Sequence, residues 1–296
     1  MEKSLLVGNG LNRTLENSLS WSELMNELGS TTSEEEQVPF PIDFEQIAAK
    51  NGGIVGGRTS DAYKRLREKM SQIVERMNDS VAGEVHQSFA NLGMQHVITT
   101  NYDSIFESMF DCDALITNPG GYKNILTSIS KGNGIEFYHA HGLGKWKNTL
   151  CLSHEHYISL ITKIRNTFFT DIEDENKENL SAIIKGSAAS TGTWPELLFT
   201  TDVAIVGLEL DYSEIDLWWL LAQRAAIFAS FRQLAQFENS ITYYYVNCQP
   251  MKNGPSFQGR MHALEALGVK VQPVGADDYP SGYKKIAEKI KRLWND

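Results

Sequence analysis

Two polar segments of the sequence combine side chains that can orient a reacting group and move a proton. TTNYD, residues 99–103, contains Asn101, and HAHG, residues 139–142, contains His141. An asparagine amide is uncharged and both donates and accepts hydrogen bonds, so it can orient a water molecule or a hydroxyl. A histidine ionises near neutral pH and can take a proton from that group. Together the two residue types suit a reaction in which water or a hydroxyl is activated.

A third segment, LLVGNGLN at residues 5–12, runs from apolar residues into Gly8 and Gly10. At a strand-to-helix junction such a glycine pair allows a sharp turn whose backbone amides can face a pyrophosphate. The third glycine of a dinucleotide fingerprint would fall at Arg13 and is missing. This stretch alone therefore fits either a nucleotide site or an ordinary tight turn.

Strands alternate with helices along the chain, which predicts an α/β fold with a doubly wound, mostly parallel, Rossmann-like sheet. The predicted strands begin at about Ser4 and at His96 and continue at 114–117, 135–142, 202–210, 241–247 and 269–274. The predicted helices are 18–28, 43–50, 61–77, the segment that follows Asp103 up to Phe110, 213–231, 259–267 and a last one from about 281. Ser213 and Asp216 have the spacing of a capping box.

The whole chain, residues 1–296, is predicted to form a single domain. Helical segments at about 29–92 and 155–195 fall outside the strand pattern and are predicted to be insertions or covers.

Ligands bind beyond the carboxyl ends of the strands in such sheets, so the residues just after each strand are the candidate site. Asn101 and His141 are the candidate catalytic residues. The candidate ligand-binding residues are Gly8, Asn9, Gly10, Asn12, Thr100, Asp103, Gly207, Glu209, Asp211 and Asn247. For Glu209 and Asp211 two roles stay open, since either side chain can cap the following helix or meet a ribose.

Composition narrows the class of protein. The 296 residues carry a formal net charge of −10, which gives no general attraction to nucleic acid or to an anionic membrane. The three cysteines form no CxxC pair, so neither a disulfide framework nor a zinc site is expected. The early first strand leaves no room for a signal peptide, and no apolar run approaches the roughly 18 residues of a membrane span. We expect a soluble protein of the reducing cytoplasm.

The order of four strand exits, GNG, TTNYD, HG and GLEL, resembles that of the sirtuin family, whose motifs are a GAGxS-like loop, TQNxD, HG and a GTSL-like segment. The resemblance implies that Asn101 and His141 form the catalytic pair beside the nicotinamide ribose of NAD. It also implies that the glycine loop and the Gly207 segment hold the dinucleotide, with NAD as substrate and no resident cofactor. The sequence departs from the family at Asn9 and Asn12, and it lacks the two CxxC pairs of the deacylase zinc domain.

The likeness is closer to the zinc-free, sirtuin-like effectors of bacterial anti-phage defence, which share HxHG and a glycine-leucine-aspartate segment, here GLELD. It implies an NAD glycohydrolase that releases nicotinamide and ADP-ribose. NAD carries a pyridinium leaving group that departs as neutral nicotinamide, so the reaction needs no general acid, unlike ordinary glycoside hydrolysis. Control by self-assembly or by a partner is expected. Such partners include a HerA-like ATPase, a short Argonaute and a nucleotide-pyrophosphatase-like sensor.

Three alternatives remain open. The same loops can serve a regulatory subunit that binds NAD or another nucleotide without turnover, or a sirtuin-type deacylase or ADP-ribosyltransferase. The histidines at 139, 141, 154 and 156 can also form the metal site of a metal-dependent hydrolase. The nearby carboxylates follow no ligand motif, however, and no metal is expected. His139 precedes the strand exit, which favours a supporting or packing role over a catalytic one.

Overall fold

The computed structural model describes residues 1–16, 18–32, 38–51, 54–55, 58–117, 120–121, 125–168, 180–248 and 255–295. Its strands are β1 (Lys3–Val7), β2 (Ile54–Val55), β3 (Arg58–Thr59), β4 (His96–Thr99), β5 (Cys112–Ala114), β6 (Ser130–Gly132), β7 (Ile135–His139), β8 (Asp202–Val206), β9 (Ile241–Asn247) and β10 (Lys270–Gly275). Its helices are α1 (Trp21–Leu28), α2 (Phe40–Lys50), α3 (Asp61–Met77), α4 (Glu84–Ala90), α5 (His154–Phe168), α6 (Leu180–Ile184), α7 (Trp194–Thr200), α8 (Ile215–Ser230), α9 (Pro255–Ala266) and α10 (Tyr279–Asn295).

The main sheet has the strand order β10-β9-β8-β1-β4-β7-β6-β5. Neighbours from β10 to β7 are parallel, and only the pairs β7–β6 and β6–β5 are antiparallel. The chain winds outward from β1 through β4 to β7 and then returns to β8 on the other side of β1. The predicted doubly wound, mostly parallel sheet is confirmed, and its switch point lies between β1 and β8.

Strand register brings the exits of four strands to one level. Val7 of β1 pairs with Thr99 of β4 and with Val206 of β8, and Thr99 in turn pairs with His139 of β7. The polar segments that follow these residues therefore emerge side by side at one edge of the sheet.

Both faces of the sheet are buried, which explains the near-continuous apolar runs of its strands. Alternate residues point to opposite faces. Leu6 and Ile205 face the core covered by α5, α6, α7 and α8, whereas Leu5 and Ala204 face the core covered by α4 and α10.

A third apolar cluster lies away from the two faces of the sheet. It joins α1, α2 and α3 through residues such as Leu24, Phe44 and Met70, and it also contains Tyr102 and Leu150. Tyr102 belongs to the TTNYD segment, so this cluster covers the strand edge from which the candidate site residues emerge.

The two ranges predicted to be insertions or covers pack in different places. Within 29–92, α2 and α3 belong to the third cluster, but α4 packs on the sheet beside α10. Within 155–195, the described helices cover one face of the sheet. Residues 33–37, 52–53, 56–57 and 169–179 of these ranges lie outside the described residues. The assignment of 1–296 to a single domain stays a prediction.

Two predicted elements are wrong. The helix expected after Asp103 is only a 3-10 turn at Glu107–Met109. Asp103 accepts from Ile105 N–H and Asn78 accepts from Ser104 N–H, as side chains do at the start of a helix, but the chain becomes extended at Phe110. The strand expected at 114–117 is β5, which ends at Ala114. Beyond it, the N–H groups of residues 115 and 116 both donate to the carbonyl of Ile129, so the regular ladder stops.

No helix in the described part of the chain has both the length and the apolar character needed to cross a bilayer.

Candidate functional site

The glycine pair of the first segment holds β1 close to β8. Gly8 N–H donates to the Val206 carbonyl at 3.1 Å, and Gly10 N–H donates to the Gly207 carbonyl at 2.7 Å. A Cβ on Gly8 would lie 2.7 Å from the Gly207 oxygen, and one on Gly10 would overlap the Tyr283 hydroxyl. Close packing at the switch point therefore accounts for both glycines, and their role in binding phosphate stays a prediction.

Asn12 and Asp103 connect the exits of β1 and β4. Asn12 Nδ2 donates to Asp103 Oδ2 at 2.9 Å, and His86 Nε2 lies 2.9 Å from Asn12 Oδ1. Burial lowers the pKa of His86 to about 4, so this ring is neutral near pH 7 and donates through Nε2. Burial also raises the pKa of Asp103, more than its hydrogen bonds from Ile105 and Asn12 lower it. Asn12 and Asp103, both predicted to bind ligand, are therefore hydrogen-bonded to each other.

Asn101 makes hydrogen bonds through its backbone, whereas its side-chain oxygen has no partner among the described residues. Its N–H donates to Thr99 Oγ1 at 3.0 Å, and its carbonyl lies 3.0 Å from His139 Nδ1. The residue is 7% exposed, and Oδ1 has no hydrogen-bond partner among the described residues. A buried acceptor without a partner is costly, which is typical of a site that receives a donor from outside the chain.

A narrow cavity lies against Asn101. Its walls include Asn9, Trp21 of α1, Val74 of α3 and Tyr102. Asn9 donates from Nδ2 to the Leu19 carbonyl at 3.1 Å, and its Oδ1, like that of Asn101, is buried without a partner. The volume of about 10 Å³ has room for roughly one water molecule. A planar ring could enter only if α1 and α3 moved apart.

His141 follows β7 and is enclosed by two acids and an aromatic ring. Nε2 lies 3.0 Å from Asp216 Oδ2, and Nδ1 lies 3.6 Å from Glu214 Oε2, beyond a good hydrogen bond. The Tyr157 ring stands edge-on at 5.1 Å between centroids. The next residue, Gly142, has φ of +97°, and a side chain there would overlap the Thr149 carbonyl. The HG pair thus places a histidine at a tight backbone crossing.

Charge dominates the ionisation of this group. Burial lowers the pKa of His141, but the charges of Asp216 and Glu214 and the Asp216 hydrogen bond outweigh it and raise the pKa to about 9. Burial raises the pKa of Glu214 to about 7, opposed by the charge of His141 and reinforced by that of Asp216. At neutral pH His141 is therefore an imidazolium, and its Nε2–H donates to Asp216.

The predicted capping box at Ser213 and Asp216 is wrong. Helix α8 begins at Ile215 with Glu214 as its N-cap residue and no side-chain cap. Ser213 N–H donates to Asp211 Oδ1, and the Asp216 carboxylate faces His141 instead of the helix backbone. Asp216 lies in the first turn of the helix, as predicted, but its carboxylate pairs with His141 from another strand and does not cap the helix.

His139 is fully enclosed and has a partner at each ring nitrogen. Nδ1 faces the Asn101 carbonyl, and Nε2 lies 2.7 Å from Glu107 Oε2. The other carboxylate oxygen of Glu107 accepts a hydrogen bond from the Ser130 hydroxyl. The supporting role predicted for His139 agrees with this arrangement.

The remaining predicted ligand-binding residues make other contacts. Thr100 is buried, and its N–H donates to the Val7 carbonyl. Glu209 and Asp211 both face Arg260, at 3.1 and 3.8 Å. Asn247 is exposed at the end of β9. Their proposed contacts with a dinucleotide stay predictions.

The four histidines considered for a metal site do not come together. His154 contacts Glu45 at the surface, and His156 meets Arg67 in the core. In the described part of the chain, the group close enough to share an ion is His141, Glu214 and Asp216, with ligand atoms within 4.8 Å of one another. Asp216 Oδ2 is bonded to His141 Nε2, whereas Asp216 Oδ1 and Glu214 Oε2 are buried without a partner among the described residues. Because His141 Nε2 is already bonded to a carboxylate, we interpret the group as a proton-binding cluster.

Sequence reasoning missed three acids of the site: Glu107, Glu214 and Asp216. Two of them carried a signal, since Glu107 is the one charged residue of the segment SIFESMF and Asp216 directly precedes the apolar stretch LWWLL. Charged residues are rarely buried unless paired, so an acid on a helix without a polar face indicates a partner elsewhere.

Residues 95–193 match the family model of the SIR2-like domain. The matched region contains β4, β7, Asn101, His139 and His141, whereas the glycine pair of β1 and the acids of α8 lie outside it. No curated protein matches the chain. The parallel sheet and the paired strand exits agree with the match, and the described residues hold no cysteine cluster able to bind zinc. Over residues 95–193 the chain is similar to the SIR2-like domain.

Proposed function

We propose that this protein is an NAD glycohydrolase that cleaves the bond between nicotinamide and ribose. One observation carries the proposal: Thr99 and His139 are paired in register, and Asn101 and His141 each lie two residues beyond them. An amide with a free oxygen and a histidine held by a carboxylate thus emerge from neighbouring strands. The SIR2-like match is compatible with an NAD-utilising enzyme and leaves the reaction to be established.

The arrangement suits hydrolysis through an oxocarbenium-like transition state. The bond from ribose C1′ to the pyridinium nitrogen breaks, its electron pair stays on that nitrogen, and neutral nicotinamide departs. A water oxygen then bonds to C1′ and loses one proton, giving ADP-ribose. Asn101 is the group that orients this water or a ribose hydroxyl, and His141 is the group that takes the proton.

Asp216 determines which ring nitrogen of His141 is available. A carboxylate that accepts from Nε2–H leaves Nδ1 as the base once the ring loses its second proton. Nδ1 makes no hydrogen bond with the described residues, which is the state that a base needs. Because the acids raise the pKa of His141 to about 9, the active neutral form is scarce at pH 7 and grows with pH.

NAD can reach this pair only if the helical cover opens. Trp21 and Val74 from α1 and α3 confine the cavity beside Asn101 to about 10 Å³. The isolated chain is therefore proposed to be weakly active and to gain activity when self-assembly or a partner stabilises an open state. The gain in activity is limited by how much more tightly the partner binds the open state than the closed state.

The proposed setting is the NAD-depleting effector of a cytoplasmic anti-phage defence system. Uncontrolled loss of NAD would be toxic, so the proposed partner is a sensor such as a HerA-like ATPase, a short Argonaute or a nucleotide-pyrophosphatase-like protein. Mass measurement in solution, with activity followed against protein concentration and each added partner, tests this setting. Full activity from a dilute, strictly monomeric chain would contradict it.

The test of the reaction is incubation of the purified chain with NAD, with and without an acyl-lysine peptide, followed by separation of the products. Nicotinamide and ADP-ribose should form without the peptide. Loss of NAD only in the presence of the peptide would favour a deacylase instead.

A non-catalytic NAD-sensing subunit is the second candidate, favoured by the state of the proposed base, because His141 is 2% exposed and its pKa is raised to about 9. It would bind NAD and release no nicotinamide under any assembly condition.

A further inference from the structure

We propose that His139 is a positioning residue, which stays doubly protonated against Glu107 and orients Asn101 by donating from Nδ1 to its backbone carbonyl. The inference rests on the proposed function, because it concerns the residue assigned to orient the reacting water or hydroxyl.

The hydrogen-bond partners define the protonation of the ring. A backbone carbonyl can only accept, so Nδ1 must carry a proton to make the 3.0 Å contact with Asn101. Nε2 lies 2.7 Å from Glu107 Oε2, a distance typical of a charge-assisted bond to a carboxylate. The second oxygen of Glu107 accepts from the Ser130 hydroxyl, which favours the ionised acid. The ring is therefore an imidazolium.

The ionisation of both partners agrees with this geometry. Burial lowers the pKa of His139, but the charge and hydrogen bond of Glu107 outweigh burial and raise it. Burial raises the pKa of Glu107, but the charge and hydrogen bonds of His139 and Ser130 lower it overall.

The cost of this pair argues against a packing role. His139 is 1% exposed and Glu107 is 9% exposed, so both charges are removed from water. Buried ion pairs contribute little net stability, and apolar residues of similar volume often serve as well or better. A pair retained at that cost, and bonded to the backbone of Asn101, fits a requirement for orientation.

Asn101 is restrained at both ends of its backbone as a result. Thr99 Oγ1 holds its N–H and His139 holds its carbonyl, while the side-chain oxygen stays free. The backbone at Asn101 is therefore held by bonds that leave the side-chain Oδ1 available. Loss of the carbonyl restraint should lower kcat, because Asn101 acts at the reacting carbon, and should leave KM for NAD nearly unchanged.

Two matched double variants separate this restraint from packing. In H139N/E107Q the asparagine amide occupies the place of Nδ1 and can still donate to the Asn101 carbonyl. In H139Q/E107Q the amide occupies the place of Nε2 and reaches only position 107. Glu107→Gln in both variants avoids leaving an unpaired buried carboxylate.

The expected result is a kcat about tenfold or more lower for H139Q/E107Q than for H139N/E107Q, with similar KM and melting temperature. Equal kcat values in the two variants, or a difference confined to melting temperature, would overturn the positioning role.

A second measurement does not depend on turnover. Histidine ring nitrogens of the ¹⁵N-labelled wild-type chain at neutral pH should show both nitrogens of His139 protonated, with the resonance assigned by its loss in H139Q. An unprotonated nitrogen would overturn the inference. If the chain cleaves no NAD and His139 still carries both protons, the proposed function fails while the hydrogen bond to Asn101 is supported.

Discussion

His139 and His141 lie two residues apart, are almost equally buried, and each contacts a carboxylate. They differ at the other ring nitrogen. Nδ1 of His139 donates to the Asn101 carbonyl, whereas Nδ1 of His141 makes no hydrogen bond with the described residues and faces Glu214 at 3.6 Å. One ring is saturated and can only hold its neighbours, and the other keeps a nitrogen with which to take a proton.

Burial and an acidic partner are common to both rings, so they do not distinguish the two roles proposed for them. The difference lies at Nδ1 and follows the end of the strand, because His139 ends β7 while His141 lies beyond it. The predictions below test this division of roles.

The largest effect is expected from His141→Ala, which removes the proposed base. NAD cleavage should fall by about a thousandfold or more, at an unchanged circular dichroism spectrum. His154→Ala is the matched control, since His154 contacts Glu45 at the surface and should leave the rate within about twofold. Turnover by folded His141→Ala within a few-fold of the parent would reverse the roles assigned to the two histidines.

Asn101→Ala removes the side-chain amide that is proposed to orient the reacting water or hydroxyl, and it should lower kcat by about a hundredfold or more. Asn91→Ala serves as the control, because Asn91 is exposed and bonds only its own helix through the Gln87 carbonyl. A loss confined to KM would indicate that Asn101 only binds the substrate and does not act at the reacting carbon.

Asp216→Asn sharpens the comparison through pH. The acids raise the pKa of His141 to about 9, so wild-type kcat/KM should rise from pH 7 to pH 9 as the ring becomes neutral. Removing the Asp216 charge destabilises the imidazolium, lowers its pKa and moves this rise to lower pH. The maximal rate should fall by about tenfold, since the ring loses its orienting partner. A pH profile that Asp216→Asn leaves in place would exclude His141 as the titrating base.

The smallest effect is expected from metal removal. Dialysis against a strong chelator should leave the rate of NAD cleavage within about twofold, because the Nε2 atom of His141 is already bonded directly to Asp216 Oδ2. Activity lost to the chelator and restored by a divalent cation would show that His141, Glu214 and Asp216 bind a metal ion.

The strand pattern was enough to predict the sheet and the edge where Asn101 and His141 emerge, because periodicity reports burial on both faces. Long-range partners were not predictable in this way. Glu107 and Asp216 reach the two histidines across 32 and 75 residues of sequence. Local spacing predicted that Asp216 caps a helix, and only the fold shows that the imidazole of His141 binds its carboxylate instead.

The glycine pair shows the opposite limit. Its spacing was interpreted as a phosphate loop, yet Gly8 and Gly10 are already required by the approach of β8 and Tyr283. A sequence motif for close approach does not say whether a ligand or another strand makes that approach.

The most direct test of the proposed NAD cleavage is turnover by the wild-type chain, measured beside His141→Ala over a series of protein concentrations. We expect equal amounts of nicotinamide and ADP-ribose from the wild-type chain, with a specific activity that rises on assembly, and neither product from the variant. Intact NAD at every concentration and with every partner tested, or equal product from His141→Ala, would contradict it.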